Sequence, residues 1–168
     1  MTASRRTISL IGMPGAGKST IGVVLAKLSG LRFVDTDLEI QHRAGMTLQQ
    51  IIDSEGYRAL RRLEQDALLQ LDLSAAVIAT GGSVVYSEAA MKRLKSAGPT
   101  IFLEVAIERL IQRVSAAPAR GIAGPAEQSF DAIYAERVPL YRRYADITID
   151  ANNAAPERIA LAILSELA

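Results

Sequence analysis

Eight residues near the start of the chain, Gly12-Met13-Pro14-Gly15-Ala16-Gly17-Lys18-Ser19, follow the spacing G-x-x-x-x-G-K-[ST]. Glycines let successive backbone N–H groups turn inward around phosphate oxygens, and a helix starting beside them adds the positive end of its dipole. Lys18 supplies a point charge for the outer phosphates. Ser19 supplies a hydroxyl for magnesium, with Thr20 next to it in the first turn. The apolar run Thr7 to Ile11 before the loop and the helical pattern Thr20 to Leu28 after it are the strand and helix such a loop needs. This predicts a nucleoside triphosphate site, which alone does not separate a kinase from an ATPase or a GTPase.

Two further stretches carry chemistry. Asp35-Thr36-Asp37 follows the strand-like Leu31 to Val34. It is expected at the same edge of a parallel sheet as the phosphate loop, where open α/β sheets bind ligands. Residues two apart in extended chain point the same way, so both carboxylates can reach one pocket. Asp35 suits a metal; Asp37 suits an acceptor hydroxyl whose proton it would accept. A plainer role for Asp37 is to cap the helix that starts at Leu38. The second stretch, Gly81-Gly82-Ser83, closes the apolar run Ala75 to Ala79. Glycines at a strand's carboxyl end allow close backbone approach, and Gly81 and Gly82 are expected to offer N–H groups to the acceptor.

Short apolar runs alternating with longer amphipathic ones predict a parallel sheet covered by helices. Helical patterns span Leu38 to Arg43, Leu48 to Asp53 with a Thr47/Gln50 capping box, and Tyr57 to Leu71. They continue over Glu88 to Lys95, Ile107 to Val114, and Phe130 to Tyr144 apart from Pro139. Strands are expected at Thr100 to Val105 and Ile147 to Ile149, and Pro156 opens a last helix. Ser115 to Gln128 carries two prolines and two glycines without apolar periodicity, which inside a compact domain predicts a mobile functional loop.

A chain of 168 residues, 49% hydrophobic and 22% charged, suits one globular domain over 1–168. Its 19 basic and 18 acidic residues leave +1, which argues against a nucleic-acid binder that relies on broad positive charge. There is no cysteine, so disulfides and thiolate metal sites are excluded. The apolar run after Arg5 and Arg6 is too short for a signal peptide or a membrane span, so a soluble cytoplasmic protein without a membrane partner is expected.

Taken together, the phosphate loop, Asp35-Thr36-Asp37, Gly56-Tyr57-Arg58, Ala79-Thr80-Gly81-Gly82 and Glu136-Arg137-Val138-Pro139-Leu140-Tyr141 resemble shikimate kinase over about Ile8 to Ile149. The resemblance implies a P-loop NTPase fold of nucleoside-monophosphate-kinase type. That fold is three-layered (α/β/α), with a central parallel sheet of about five strands, acceptor-binding helices at about 38–60 and a mobile lid at about 115–128. It implies a monomer that uses ATP and Mg2+ to phosphorylate shikimate to shikimate 3-phosphate for aromatic amino acid synthesis. In the family's pattern Asp37 binds shikimate hydroxyls and acts as or positions the base, while Asp35 serves magnesium mainly through water. Arg58 and Arg137 grip the substrate carboxylate, the lid's Arg120 reaches the ATP phosphates, and Arg113 and Pro156 flank the adenine. Two positions depart from that pattern. Ser83 stands where a third glycine is usual, and Arg61 stands where a glutamate usually follows the substrate arginine by three residues. These departures keep open a kinase of the same build for a gluconate- or homoserine-like acceptor. A nucleotide-binding module without catalysis is the remaining alternative.

Overall fold

The computed structural model describes residues 6–117 and 121–168. Five parallel strands form the sheet: β1 (Ile8–Ile11), β2 (Arg32–Asp35), β3 (Ala76–Ala79), β4 (Thr100–Glu104) and β5 (Ile147–Asp150), in the order β2-β3-β1-β4-β5. β1 and β3 are buried at every residue, as expected of central strands covered on both faces. Two helices, α1 (Lys18–Ser29) and α8 (Pro156–Leu167), pack together on the sheet. A second group comprises α4 (Tyr57–Gln70), α5 (Glu88–Ala97) and α7 (Phe130–Tyr144), which meet around a short 3₁₀ turn at Val84–Tyr86. The remaining helices are α2 (Thr36–Ala44), α3 (Leu48–Glu55) and α6 (Ile107–Ser115). The α/β fold expected from the alternation of patterns is the one observed.

Local chemistry sets most boundaries. Thr47 and Gln50 form the expected reciprocal capping box of α3, and Pro156 occupies the first turn of α8. Helix α2 starts two residues earlier than its apolar pattern suggests, because Asp35 is its cap: the carboxylate accepts from the N–H of Asp37 at 2.9 Å and of Leu38 at 3.3 Å. The cap is therefore Asp35 and not Asp37, which is left in the first turn. Helix α7 runs unbroken through Pro139. The turn at Val84–Tyr86 has no periodicity long enough to read in sequence.

Two apolar clusters result. The larger centres on the strands, with Leu10, Ile78, Ile101 and Leu103 fully buried. The smaller joins Ile40 of α2, Ile51 of α3, and Leu60 and Ala67 of α4 with Ala123. The helices that would hold an acceptor thus have a core of their own, and the segment from 121 to 128 contributes to it. No helix among the described residues is long and apolar enough to cross a membrane.

Candidate active site

The carboxyl ends of β1, β2 and β3 open onto a cleft of about 620 Å³, lined by the phosphate loop, Asp37, Gly82, Arg113 and Pro156 among others. Gly15 and Gly17 sit at φ of 86° and 96°, left-handed conformations that a side chain would strain, and Gly17 is the N-cap of α1. Met13 and Ala16 are buried beneath the loop, so its apolar members anchor it while its backbone lines the cleft. Lys18 Nζ donates to the carbonyls of Gly12 at 2.7 Å and Met13 at 2.9 Å, folding the ammonium back along the loop. At the far end Arg113 donates to the Gly15 carbonyl at 3.1 Å, and Pro156 lines the same cleft. The residues expected around a nucleotide are therefore together. Arg120 lies outside the described residues.

Ser19 and Asp35 meet as expected of a shared metal, with the Ser19 hydroxyl 2.6 Å from Asp35 Oδ2. Because Asp35 Oδ1 caps α2, Oδ2 is the carboxylate oxygen left to meet the Ser19 hydroxyl, and Ser19 lines the cleft. Two hard oxygen donors with room for water fit magnesium, which keeps most of its hydration shell.

The acceptor side differs from expectation at three positions. Arg58 is exposed; its Nε faces the neighbouring Tyr57 hydroxyl at 3.3 Å. The arginine beside Arg137 is Arg61, one helical turn further along α4. Arg61 Nε and Arg137 Nη2 donate to one oxygen, the Ala123 carbonyl, at 3.1 and 2.8 Å. Both guanidinia lie over the ring of Tyr86, with Cζ to centroid distances of 4.0 and 5.5 Å. With Arg61 as the substrate arginine, the glutamate three residues on is Glu64, and that departure from the family pattern disappears.

The second correction concerns the glycines. The Gly81 N–H is not turned to the cleft, since it donates to the Thr36 hydroxyl at 3.1 Å. Gly81 is needed for space: a Cβ there would collide with the Glu64 carboxylate and lie 3.1 Å from Asp37 Oδ1. Gly82 lines the cleft and its carbonyl accepts from the Tyr141 hydroxyl. Tyr141 stacks on Phe102 of β4 at 5.2 Å, and four residues earlier on the same face of α7 stands Arg137. Position 82 is also tight against Arg137, whose Nη1 is 3.0 Å from where a Cβ would fall.

The third correction is Ser83, whose hydroxyl donates to Glu64 and is buried with it. Its hydroxyl is therefore committed to Glu64 within the protein. No ion pair joins Arg58 to Glu55 or Arg61 to Glu64 among the described residues. Burial pushes the Glu64 carboxyl up to about 7, assisted by the charge of Asp37 and opposed by Ser83, Arg137 and Lys18. Arg137 is 1% exposed, and its Nε has no hydrogen-bond partner among the described residues. A buried guanidinium with an unsatisfied donor is costly unless an anion completes it.

Arg61, Glu64 and Tyr86 are the residues that motif reading missed. The Arg-x-x-Glu spacing at Arg61 and Glu64 was the available signal. Nothing in the local sequence marks Tyr86, because its neighbours come from two other helices.

A family model for shikimate kinase matches residues 14–168. The chain is 37% identical over 166 residues to the shikimate kinase of Pseudomonas entomophila, covering 96% of each chain. It is 35% identical over 169 residues to shikimate kinase 1 of Yersinia enterocolitica, covering 98% of each. Among solved structures, shikimate kinase from Acinetobacter baumannii in complex with shikimate superposes with a TM-score of 0.85 at 33% identity, covering 96% of this chain and 92% of that one. With the phosphate loop, the aspartates and the arginine pair assembled on one sheet edge, the chain belongs to the shikimate kinase family.

Proposed function

We infer that the protein transfers the γ-phosphate of ATP to a ring hydroxyl of shikimate, giving shikimate 3-phosphate and ADP in the route to aromatic amino acids. The observation that carries the acceptor is the convergence of Arg61 with the buried, incompletely bonded Arg137 beyond Asp37. Two guanidinium forks on one small volume suit a carboxylate held in a fixed orientation. With the carboxylate there, the ring extends toward Asp37 and the phosphate loop. The committed Ser83 hydroxyl favours shikimate over an acceptor that would need a new polar contact at that position.

The residues divide the reaction between them. Loop N–H groups of Gly15 and of Gly17 to Thr20 and the Lys18 ammonium hold the β- and γ-phosphates, and Arg113 and Pro156 bracket the base. Asp37 orients the acceptor hydroxyl and takes its proton as the oxygen attacks the γ-phosphorus and the bond to the β-phosphate bridging oxygen breaks. Ser19 and, mainly through water, Asp35 would hold Mg2+. Bound there, the ion would supply positive charge to offset the charge developing on the transferred phosphate. The segment 115–128 acts as a lid that excludes water, with Arg120 assigned to the ATP phosphates. All these groups come from one chain, so a monomer in the cytoplasm is the proposed working form.

Coupled assay of ADP release with ATP, Mg2+ and separate acceptors tests the reading. Shikimate should turn over at least about a hundredfold better than gluconate or homoserine, because all three offer a carboxylate but only the rigid ring would hold a hydroxyl at Asp37 while that carboxylate is gripped. Preference for another acid would move the acceptor, and no acceptor-dependent ADP with any of them would leave a binding module.

A further inference from the structure

Tyr86 occupies a position that neither the phosphate loop nor the acceptor residues require by motif. It ends the 3₁₀ turn after Ser83, and that turn carries its ring between α4 and α7. Arg61 Cζ lies 4.0 Å from its centroid and Arg137 Cζ 5.5 Å, both within cation–π range. Arg61 is also over the Tyr57 ring at 4.9 Å. Two like-charged guanidinia are thus held close together, and repulsion would drive the less buried Arg61 away unless something negative lay beside both. The face of an aromatic ring is such a surface, and it holds cations without consuming the N–H donors that a carboxylate needs.

The Tyr86 hydroxyl adds a second tie. It donates to Glu136 Oε1, and Glu136 Oε2 accepts from Gln128 Nε2 at 3.2 Å. Burial and then Glu136 push the Tyr86 hydroxyl above its ordinary value, so it stays a donor. Gln128 ends the segment whose Ala123 carbonyl both arginines hold. Ring, hydroxyl and carbonyl therefore fix the two guanidinia relative to one another and to the loop over them.

We propose that Tyr86 is a positioning residue for the acceptor: its ring face holds the Arg61 and Arg137 guanidinia at the separation that grips one carboxylate, and its hydroxyl ties them through Glu136 to the covering loop. This rests on the assignment of Arg61 and Arg137 to the acceptor carboxylate. The ring should matter more than the hydroxyl, because the ring contacts both cations directly.

The test is steady-state kinetics of Tyr86→Leu and Tyr86→Phe beside Arg61→Ala, with Tm measured for each free enzyme. Loss of the ring should raise the KM for shikimate roughly three- to thirtyfold, with kcat within about threefold and the KM for ATP within about twofold. Tyr86→Phe should stay within about threefold of the parent in every constant. The proposal is overturned if Tyr86→Leu leaves the shikimate KM unchanged, if it raises both KM values equally, or if Phe is as damaging as Leu. If Arg61→Ala also leaves the shikimate KM unchanged, the arginine assignment itself has failed. If only Tyr86→Leu is silent, the failure is confined to Tyr86. Should Tyr86→Leu not fold, Tyr86→Met serves in its place, read by the same constants and by calorimetric shikimate affinity, which should fall for Met and hold for Phe.

Discussion

Arg61 of α4 and Arg137 of α7 donate to the same carbonyl oxygen, that of Ala123, at 3.1 and 2.8 Å. Three segments far apart in sequence thus meet at one atom. The relationship connects the proposed seat for an acceptor's acid group with the segment that carries Ala123.

The pair predicts a contrast between two arginines of one helix. Arg61→Ala should raise the KM for shikimate about ten- to a hundredfold, the loss expected when charged hydrogen bonds to a carboxylate are removed, with little change for ATP. Arg58→Ala, three residues earlier and exposed, should alter either KM by less than about twofold. Steady-state kinetics of the two variants decide it; a reversed order would restore Arg58 to the site.

Asp37→Asn should lower kcat by about a hundred- to ten-thousandfold, the usual contribution of a positioned base. The fold and the nucleotide end of the cleft should survive, because the cap of α2 is Asp35. Calorimetry with a nucleotide analogue should therefore find ATP-site affinity nearly unchanged. Equal loss of affinity and turnover would remove Asp37 from the acceptor side.

Glu64 makes stability depend on pH with a definite sign. Burial pushes its carboxyl from the ordinary 4.5 up to about 7, so within that window the folded state binds the extra proton. Stability should consequently fall as pH rises from about 5 to about 7 and level off above, by on the order of 3 kcal/mol from this group. Glu64→Gln cannot titrate, so the variant's Tm relative to the parent should climb across the same window. Thermal melts of the two free enzymes measure that difference, and parallel curves would contradict it.

Ser19→Ala should raise the Mg2+ concentration for half-maximal activity about tenfold or more while sparing the KM for shikimate. Chelation should abolish turnover of the parent and be reversed by added Mg2+. A magnesium titration of both proteins checks the assignment, and coincident curves would exclude Ser19 as a ligand.

Most of the nucleotide half was legible because it is local. The left-handed turns at Gly15 and Gly17 and the helix start at Lys18 follow from residue types at fixed spacing, and the Thr47/Gln50 box and the first-turn Pro156 are local in the same way. Asp35 and Ser19 meet because both sit at carboxyl-edge positions dictated by a parallel sheet. The acceptor half was misread where a register on a helix mattered. On α4 a displacement of three residues keeps nearly the same face but advances a full turn, so Arg58 and Arg61 look alike in a pattern and stand in different places.

What the sequence by itself determined is the α/β alternation, the phosphate loop, the aspartate pair and the family. Only the tertiary structure decided that Arg61 joins Arg137, that Gly81 yields space and not an N–H, and that Ser83 is bound to Glu64. The reason is physical. Each of those outcomes depends on distances between side chains brought in by different helices and strands, and burial sets which of several chemically equal partners is reached.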